Sequence, residues 1–382
     1  MKNVLLVFGG VSYEHDISVV TAFQIFKKTR LEDVKLHLLY ISRDGRYFLC
    51  DEKRIKIEYF SCRKFNNKLR GMREVSFVSG EKGRLFYKTR FGLKEAISVK
   101  TAIFACHGGD GENGRLVTIF ENAGIACSAG SSDALAVCMD KFLFKKLMQG
   151  LHLPVVQGVK ISKKDFESDK EFVLRSVERL KYPVIIKIND GGSSIGMFIA
   201  NNQEELLEGF KNAFEFSHTI IVEKFLGKTR EFNLAVLGDS ECFEISEIDE
   251  PMKKHEILTF ADKYLSGNGK GSKKGEMGFA GNQVKLDLSE ELQARMKEIA
   301  RKIFLNLGLY GVIRIDFLYD ENRQKLYICE VNAIPGSLAY YFFKKNRLLR
   351  NDLIKKLIDT AEKNFMKNAI KSEFMVNILS EK

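Results

Sequence analysis

Arg314-Ile-Asp316-Phe-Leu318 and Ile328-Cys-Glu330-Val-Asn332-Ala-Ile-Pro335-Gly336 decide how this chain is read. Both stretches lie in apolar, β-branched runs, residues 311 to 319 and 326 to 332. The turn-forming segment Asp320-Glu-Asn-Arg-Gln324 separates them, so the pattern predicts a β-hairpin. Strand side chains alternate faces with period two. Arg314 therefore shares a face with Asp316, and Glu330 shares one with Asn332. If the two faces coincide, two carboxylates, an amide and a guanidinium meet in a small volume. Carboxylate and amide oxygens are what a hard cation such as Mg²⁺ accepts, usually beside substrate phosphates. Read alone, the same residues are equally compatible with a surface hairpin carrying a cross-strand ion pair.

The chain has 382 residues, 45% of them hydrophobic, enough for large cores and two or three domains. Lys and Arg total 61 against 50 acidic residues, a formal charge of +11 that is spread along the chain without a long basic block. With acidic residues interleaved and no nucleic-acid motif, this favours anionic small substrates over nucleic acid. The seven cysteines (50, 62, 106, 127, 138, 242 and 329) form no CxxC and lie mostly in apolar runs, as reduced thiols of a cytosolic protein would. The apolar run at the N-terminus is too short for a signal peptide, and no stretch approaches the roughly 20 apolar residues that span a bilayer. The expectation is a soluble, cytoplasmic protein that binds no membrane.

Val4 to Phe8 predicts a buried parallel strand turned by Gly9-Gly10. A helix over 18–28, a strand over 34–42, a strand over 101–106, a helix over 116–123 and a strand over 125–127 continue an α/β pattern with a parallel sheet. Residues 43–100 predict short strands. One helix is expected over 133–148, carrying Lys141. Strands over 155–161, 183–188 and 197–200 and helices over 170–180 and 204–214 suggest a second unit. A third begins with the strand from Ile220 and includes strands near 231–237 and 242–248, an amphipathic helix from Ser289, the hairpin and a C-terminal helix. Residues 265–282 hold six glycines, and so long a loop is usually functional or disordered.

Gly191-Gly-Ser-Ser-Ile-Gly196 joins two apolar runs as a hairpin tip. Glycines let backbone N–H groups approach phosphate oxygens, and Ser193 and Ser194 add donors. A flexible turn is the competing reading, since neither GxGxxG nor the Walker pattern is present. Lys187, just before it, offers a phosphate-directed charge. His107 lies at the carboxyl end of a presumed parallel strand, where open α/β sheets gather ligands, with Glu112 following in the same turn. Glu14 follows the first strand's glycines at the same sheet edge; it serves equally as a helix N-terminal acid.

Taken in order, Phe8-Gly-Gly-Val-Ser-Tyr-Glu14, His107-Gly-Gly-Asp-Gly-Glu-Asn-Gly114, Met139-Asp-Lys141, Lys187 with Gly192-Ser-Ser-Ile-Gly196, Glu223-Lys-Phe-Leu226 with Glu231, Lys263-Tyr264 and the two hairpin motifs resemble the D-alanine–D-alanine ligases of the ATP-grasp superfamily. The resemblance covers residues 1 to 365. It implies an α/β, three-domain ATP-grasp fold: an N-terminal Rossmann-like parallel sheet over 1–129, then α+β domains over 130–222 and 223–365 clasping ATP, with a basic tail over 366–382. It implies that Lys141 and Lys187 hold the α- and β-phosphates while the 192–196 loop, with Ser193 and Ser194, closes over the γ-phosphate. Glu223, Lys224 and Leu226 would line the adenine pocket, and Glu231 would accept the ribose hydroxyls. Asp316, Glu330 and Asn332 would bind two Mg²⁺ (or Mn²⁺) ions. Glu14 would anchor the ammonium of the first D-alanine, linked through Ser193 to Tyr264. Arg314 and the Gly336 N–H would stabilise the oxyanion; Ser337 and Leu338 would receive the second carboxylate, near His107. Lys263 would reach the transferred phosphate, and the 265–282 segment would act as a lid. The implied assembly is a homodimer.

The residue types fit such chemistry independently. A free carboxylate resists amine attack because its leaving group is oxide. Phosphorylation by ATP turns it into an acyl phosphate, from which the amine displaces phosphate. Negative charge grows on oxygen in both steps, and metals, lysines and an arginine stabilise it. Departures from the family pattern include Ile188 in place of the proline that commonly follows the strand lysine, and a longer 43–100 region. Other readings are a ligase taking D-serine or D-lactate second, a silent nucleotide-binding protein, and a nucleic-acid binder. Tyr264 speaks against D-lactate, since depsipeptide-forming relatives usually carry histidine there.

Overall fold

The protein, seen in a computed structural model, is described over residues 1–60, 71–192, 196–251, 287–343 and 348–367. Three sheets organise it. In the first, β1 (Lys2–Gly9) and β2 (Val34–Ile41) lie parallel. β3 (Tyr47–Cys50), β4 (Met72–Phe77), β5 (Arg84–Thr89) and β6 (Gly92–Ser98) then run back and forth as antiparallel neighbours. β7 (Thr101–Phe104) and β8 (Ala126–Cys127) resume parallel pairing on the other side of β1. The order is β6-β5-β4-β3-β2-β1-β7-β8. The expected Rossmann-like parallel sheet is thus one half, β2-β1-β7-β8, of a mixed one, whose other half is built from the short strands of 43–100 in antiparallel pairing. Val4 to Phe8 are 0% exposed, as a run with no polar face requires at the centre of a doubly covered sheet.

Helices α1 (His15–Lys28) and α2 (Arg115–Asn122) accompany this sheet. The single helix expected over 133–148 is two, α3 (Ser132–Met139) and α4 (Lys141–Gly150). Asp140 breaks it: its backbone is extended, and its carboxylate accepts from Leu143 N at 2.8 Å. A capping aspartate starts a helix more strongly than apolar periodicity continues one. Lys141 consequently stands at the mouth of α4 rather than mid-helix.

The second sheet contains β9 (Gly158–Ser162), β10 (Val184–Ile188), β11 (Phe198–Ala200) and β12 (Thr219–Lys224), in the antiparallel order β11-β10-β12-β9. Helices α5 (Lys163–Ser168), α6 (Lys170–Glu178) and α7 (Gln203–Ala213) accompany it. The strand expected to open the third unit is β12, whose Ile220 and Val222 pack with Val184, Ile186 and Phe210. A division between 222 and 223 falls inside that strand. The third sheet is β13 (Arg230–Gly238), β14 (Phe243–Ile245), β15 (Gly311–Asp320) and β16 (Lys325–Asn332), ordered β14-β13-β15-β16. Helices α8 (Glu290–Asn306), capped by Ser289, and α9 (Arg350–Lys367) complete the chain's described part. Among the described residues no helix is long and apolar enough to cross a membrane.

Two cores result. One runs without interruption from the first sheet through α9 into the third sheet; the second sheet keeps its own. Polar ties reinforce the first core. Lys2 Nζ pairs with Glu362 at 2.7 Å, and Asn351 exchanges hydrogen bonds with the Arg30 backbone. The glycine turn after β1 is held by His15, which is 0% exposed. Its Nδ1 is 2.7 Å from the Gly10 carbonyl oxygen, so that nitrogen carries the proton, and Nε2 accepts from Tyr40 Oη at 3.1 Å. This neutral tautomer uses both ring nitrogens. Burial lowers its pKa from 6.5 and Arg43 adds to the effect, outweighing the Gly10 carbonyl and Asp16, which favour the charged form.

A histidine depressed in the folded state contributes its full stability above 6.5, its unfolded value, and loses it as pH falls, because the unfolded chain takes up the proton first. The unfolding free energy from urea titration should therefore drop on going from about pH 7 to about pH 5.5. His15→Gln should begin less stable at neutral pH and show a smaller acid loss; an unchanged acid loss would remove His15 as its source.

Candidate active site

The β15–β16 hairpin sets Arg314 opposite Asn332 and Asp316 opposite Glu330, so the two faces coincide as the alternation required. The register slips between Asp316 and Phe317, leaving Cys329 as the extra residue of a bulge. Asp316, 3% exposed, is held from several sides. Its Oδ1 accepts from Arg314 Nε at 2.6 Å, and its Oδ2 accepts from Arg314 Nη2 at 2.7 Å and Asn332 Nδ2 at 3.1 Å. Asn233, its partner across β13, donates to Oδ1 at 3.2 Å with its amide turned to satisfy its neighbours. Tyr341 hydrogen-bonds Arg314; burial pushes its hydroxyl up to about 12 while the guanidinium pulls the other way.

On the second sheet, Val184, Ile186, Ile220 and Val222 face the helices, so Lys187 and Glu223 face away from them. Glu223, 3% exposed, lies between two lysines. Lys187 Nζ donates to Oε2 at 2.9 Å, and Lys145 Nζ of α4 sits 3.1 Å from Oε1. Burial pushes the Glu223 carboxyl up, but Lys145 and Lys187 outweigh it and hold its pKa well below the usual carboxylate range. Burial likewise opposes charge on Lys187, and Glu223, Cys329 and Glu330 more than offset it. Lys224 points the opposite way, donating to the Lys181 and Tyr182 carbonyls at 2.5 and 3.0 Å. Leu226 and Glu231 are half-buried. Buried Asn189 fixes the start of α4: its backbone carbonyl accepts from Lys141 N at 3.0 Å and its side chain from Phe142 N at 3.1 Å. Lys141 Nζ donates to the Gly191 carbonyl.

From the first sheet comes Glu14, 8% exposed. A Cβ on either Gly108 or Gly192 would stand 2.8 Å from its Oε2, which places this carboxylate between the first and second sheets, and Gly108 also has a φ of +67° that favours glycine. His107 is buried and engaged: Nε2 pairs with Thr21 Oγ1 at 3.0 Å, and Nδ1 lies 3.9 Å from Glu112. Thr21 Oγ1 accepts in turn from Ser337 N at 3.4 Å, so His107 reaches Ser337 through Thr21 and not directly. Ser337, Leu338 and Ala339 all have φ near +50°. Such backbone costs each non-glycine residue roughly 1–2 kcal/mol and persists only where neighbours over-determine it.

A cleft of about 800 Å³ is lined by Glu14, Arg43, Gly108, Asp190 and Gly192 among others. A smaller hollow holding Lys141, Glu330 and Asn332 shares Met139, Gly191 and Gly192 with it. The structure thus joins Glu14, Lys141, Glu330 and Asn332 around one space, with Arg314 and Asp316 on the same hairpin face. Ser193, Ser194, Lys263, Tyr264 and the 265–282 segment lie outside the described residues. Sequence reasoning missed Lys145, Asn233, Tyr341 and Thr21. The first two left a signal: Lys145 is four residues from Lys141 on one helix face, and Asn233 two from Glu231 on one strand face.

The family models for the "D-ala D-ala ligase N-terminus" and "D-ala D-ala ligase C-terminus" match residues 3–130 and 147–359. The chain belongs to the D-alanine–D-alanine ligase family. A curated relative of that name from Thermosipho africanus is 30% identical over 361 residues, covering 94% of this chain and 93% of its own. The Helicobacter pylori ligase structure superposes with a TM-score of 0.71 at 26% identity, covering 94% of this chain and 98% of that one. A Bacillus anthracis ligase complexed with ATP matches at 0.65 and 18% identity, over 97% and 100% of the two chains, and speaks to the fold alone. The family is ATP-dependent and joins two D-alanines, and this chain is a ligase of it. The three-sheet α/β architecture is the one its members share.

Breaking a buried ion cluster by removing its central charge costs roughly 3–5 kcal/mol. Glu223→Gln should therefore lower unfolding stability by about that amount, since both lysines lose their counter-ion. Lys145→Met should cost far less, because Lys187 stays paired with Glu223. Urea denaturation of both variants measures the difference; equal losses would mean that Lys145 and Lys187 do not share the carboxylate.

Proposed function

We propose that this protein is a D-alanine–D-alanine ligase that uses ATP to make an acyl phosphate of one D-alanine and then couples a second to it. The product would supply peptidoglycan precursor synthesis. The observation that carries the reading is the hairpin face of Arg314, Asp316, Glu330 and Asn332 opening beside Lys141 and Glu14. Acid, phosphate-directed charge and oxyanion donor are the groups this two-step reaction needs.

In this reading Lys141 and Lys187 hold the α- and β-phosphates, with Ser193, Ser194 and Lys263 at the γ-phosphate. Glu223, Lys224 and Leu226 border the adenine, and Glu231 the ribose. Because the Lys224 ammonium is spent on two carbonyls, its main chain is the part left to face a base. Glu14 takes the first D-alanine's ammonium, supported by Ser193 and Tyr264. Arg314 and the Gly336 N–H receive the charge that grows on the carbonyl oxygen, and preorganised donors there lower the barrier without reorganisation. Ser337 and Leu338 receive the second carboxylate. His107 acts behind them, through Thr21.

Two carboxylates and an amide oxygen are a donor set suited to two Mg²⁺ (or Mn²⁺), with phosphate oxygens completing the coordination. Bound to Asp316, Glu330 and Asn332, the ions would neutralise charge on the phosphoryl group. Asp316 already accepts from Arg314, so a cation there would take over part of the charge balance the guanidinium now supplies. The +11 charge suits an anionic nucleotide. We place the enzyme in the cytoplasm, as a homodimer.

The test is ATP-dependent phosphate release with D-alanine, D-serine, D-lactate and L-alanine. D-alanine alone should support it; release with D-alanine only when D-serine or D-lactate is added would change the second substrate. Asp316→Ala should abolish turnover and also lower stability, because Arg314 loses its buried partner; circular dichroism should show that the variant still folds. Arg314→Lys should lower kcat by about 100-fold, the scale of losing an oxyanion donor, because an ammonium cannot reproduce the planar fork. A loss below about threefold would make Arg314 merely the partner of Asp316.

A further inference from the structure

Two residues of α1, three positions apart and so on one helix face, reach across to the left-handed turn of the third unit. Thr21, 0% exposed, accepts from Ser337 N at 3.4 Å. Gln24 Oε1 accepts from Ser337 Oγ at 2.5 Å. The anchoring is deep on both sides. His107 Nε2 pairs with Thr21 Oγ1 at 3.0 Å and His107 N donates to Ser18 Oγ at 2.8 Å, while Arg350 Nη1 donates to the Gln24 carbonyl at 2.9 Å. Leu338 and Ala339, which follow in the same left-handed backbone, are 2% and 0% exposed.

A serine hydroxyl has one hydrogen and two lone pairs. In this structure that hydrogen goes to Gln24. A carboxylate has only acceptors, so it can be bound by Ser337 Oγ only if the hydrogen is released to it. The Gln24 amide can supply that release while still touching Ser337. Turned end for end, it donates through Nε2 to a Ser337 lone pair and leaves the hydrogen free.

We propose that Gln24 is a positioning residue for the second amino acid: it sets the direction of the Ser337 hydroxyl and so the affinity for the incoming carboxylate, while Thr21 holds the strained turn in register. The inference rests on the reading that Ser337 receives that carboxylate. It assigns α1, on the first sheet, a part in second-substrate selectivity.

The test exploits a near-isosteric change. Gln24→Glu keeps the shape but, as an anion, only accepts; it holds the Ser337 hydrogen and repels the substrate. KM for the second D-alanine should rise at least about tenfold, the scale of a lost hydrogen bond to a charged group. KM for ATP and for the first D-alanine should change by less than about twofold, a split that general loosening of the fold would not give. Gln24→Leu, which frees the hydroxyl but no longer orients it, should raise the second KM less than Gln24→Glu. Ser337→Ala is the control. If it raises the second KM while Gln24→Glu leaves it unchanged, the role of Gln24 is overturned. If Ser337→Ala itself leaves that KM unchanged, the carboxylate assignment falls and this inference with it. Melting temperatures of all three variants separate loss of folding from loss of binding.

Discussion

One apolar core joins the first sheet, α9 and the third sheet, and everything else about the site is placed relative to it. It holds Glu14 and the Ser337 turn, which come from opposite ends of the sequence, in a fixed relation. The second sheet has a separate core and meets this frame through contacts such as Gly192 near Glu14 and the Tyr13–Phe216 ring pair. Packed cores transmit position faithfully because side chains interdigitate at crystal-like density. A unit with its own core keeps its internal geometry when it shifts as a body.

Around the site, charge is balanced locally rather than by distance. Asp316 is neutralised by Arg314 and steadied by two asparagine amides; Glu223 is neutralised by Lys145 and Lys187. Removing an ion from water is expensive unless partners replace its hydration, so these groups are buried in pairs and triads. The Glu223 cluster carries one lysine more than it needs for neutrality. Glu330 of the neighbouring hairpin also acts on Lys187, so that surplus is shared between the second and third sheets.

Much of this was legible in the chain. The hairpin could be read because period-two alternation is local, and so could β1, the helix beginning at Ser289 and the strand ending at Ile188. The family could be read because its motifs recur in order. The break at Asp140 was hidden by apolar residues on both sides of it, although a capping aspartate was in plain view. Membership of β12 in the second sheet depends on which core Ile220 and Val222 enter, and no neighbouring residue records that. The Thr21 and Gln24 contacts with Ser337 span more than 300 positions, and the amide at Gln24 looks like any polar helix residue. Long-range pairing of ordinary residues is what a single sequence conceals.

The unbroken core also marks where this protein can be recombined with its relatives. A crossover near residue 130 would set one parent's α1 against the other parent's 336–343 turn and α9, and mismatched packing there would strain a backbone already held in left-handed conformation. Exchange of the second sheet with its helices, entering before α4 and leaving after Lys224, carries an intact core together with the Lys145–Glu223 and Asn189 contacts of α4. In engineering terms the middle of the chain behaves as an inserted module, and its two flanks as a single inherited piece.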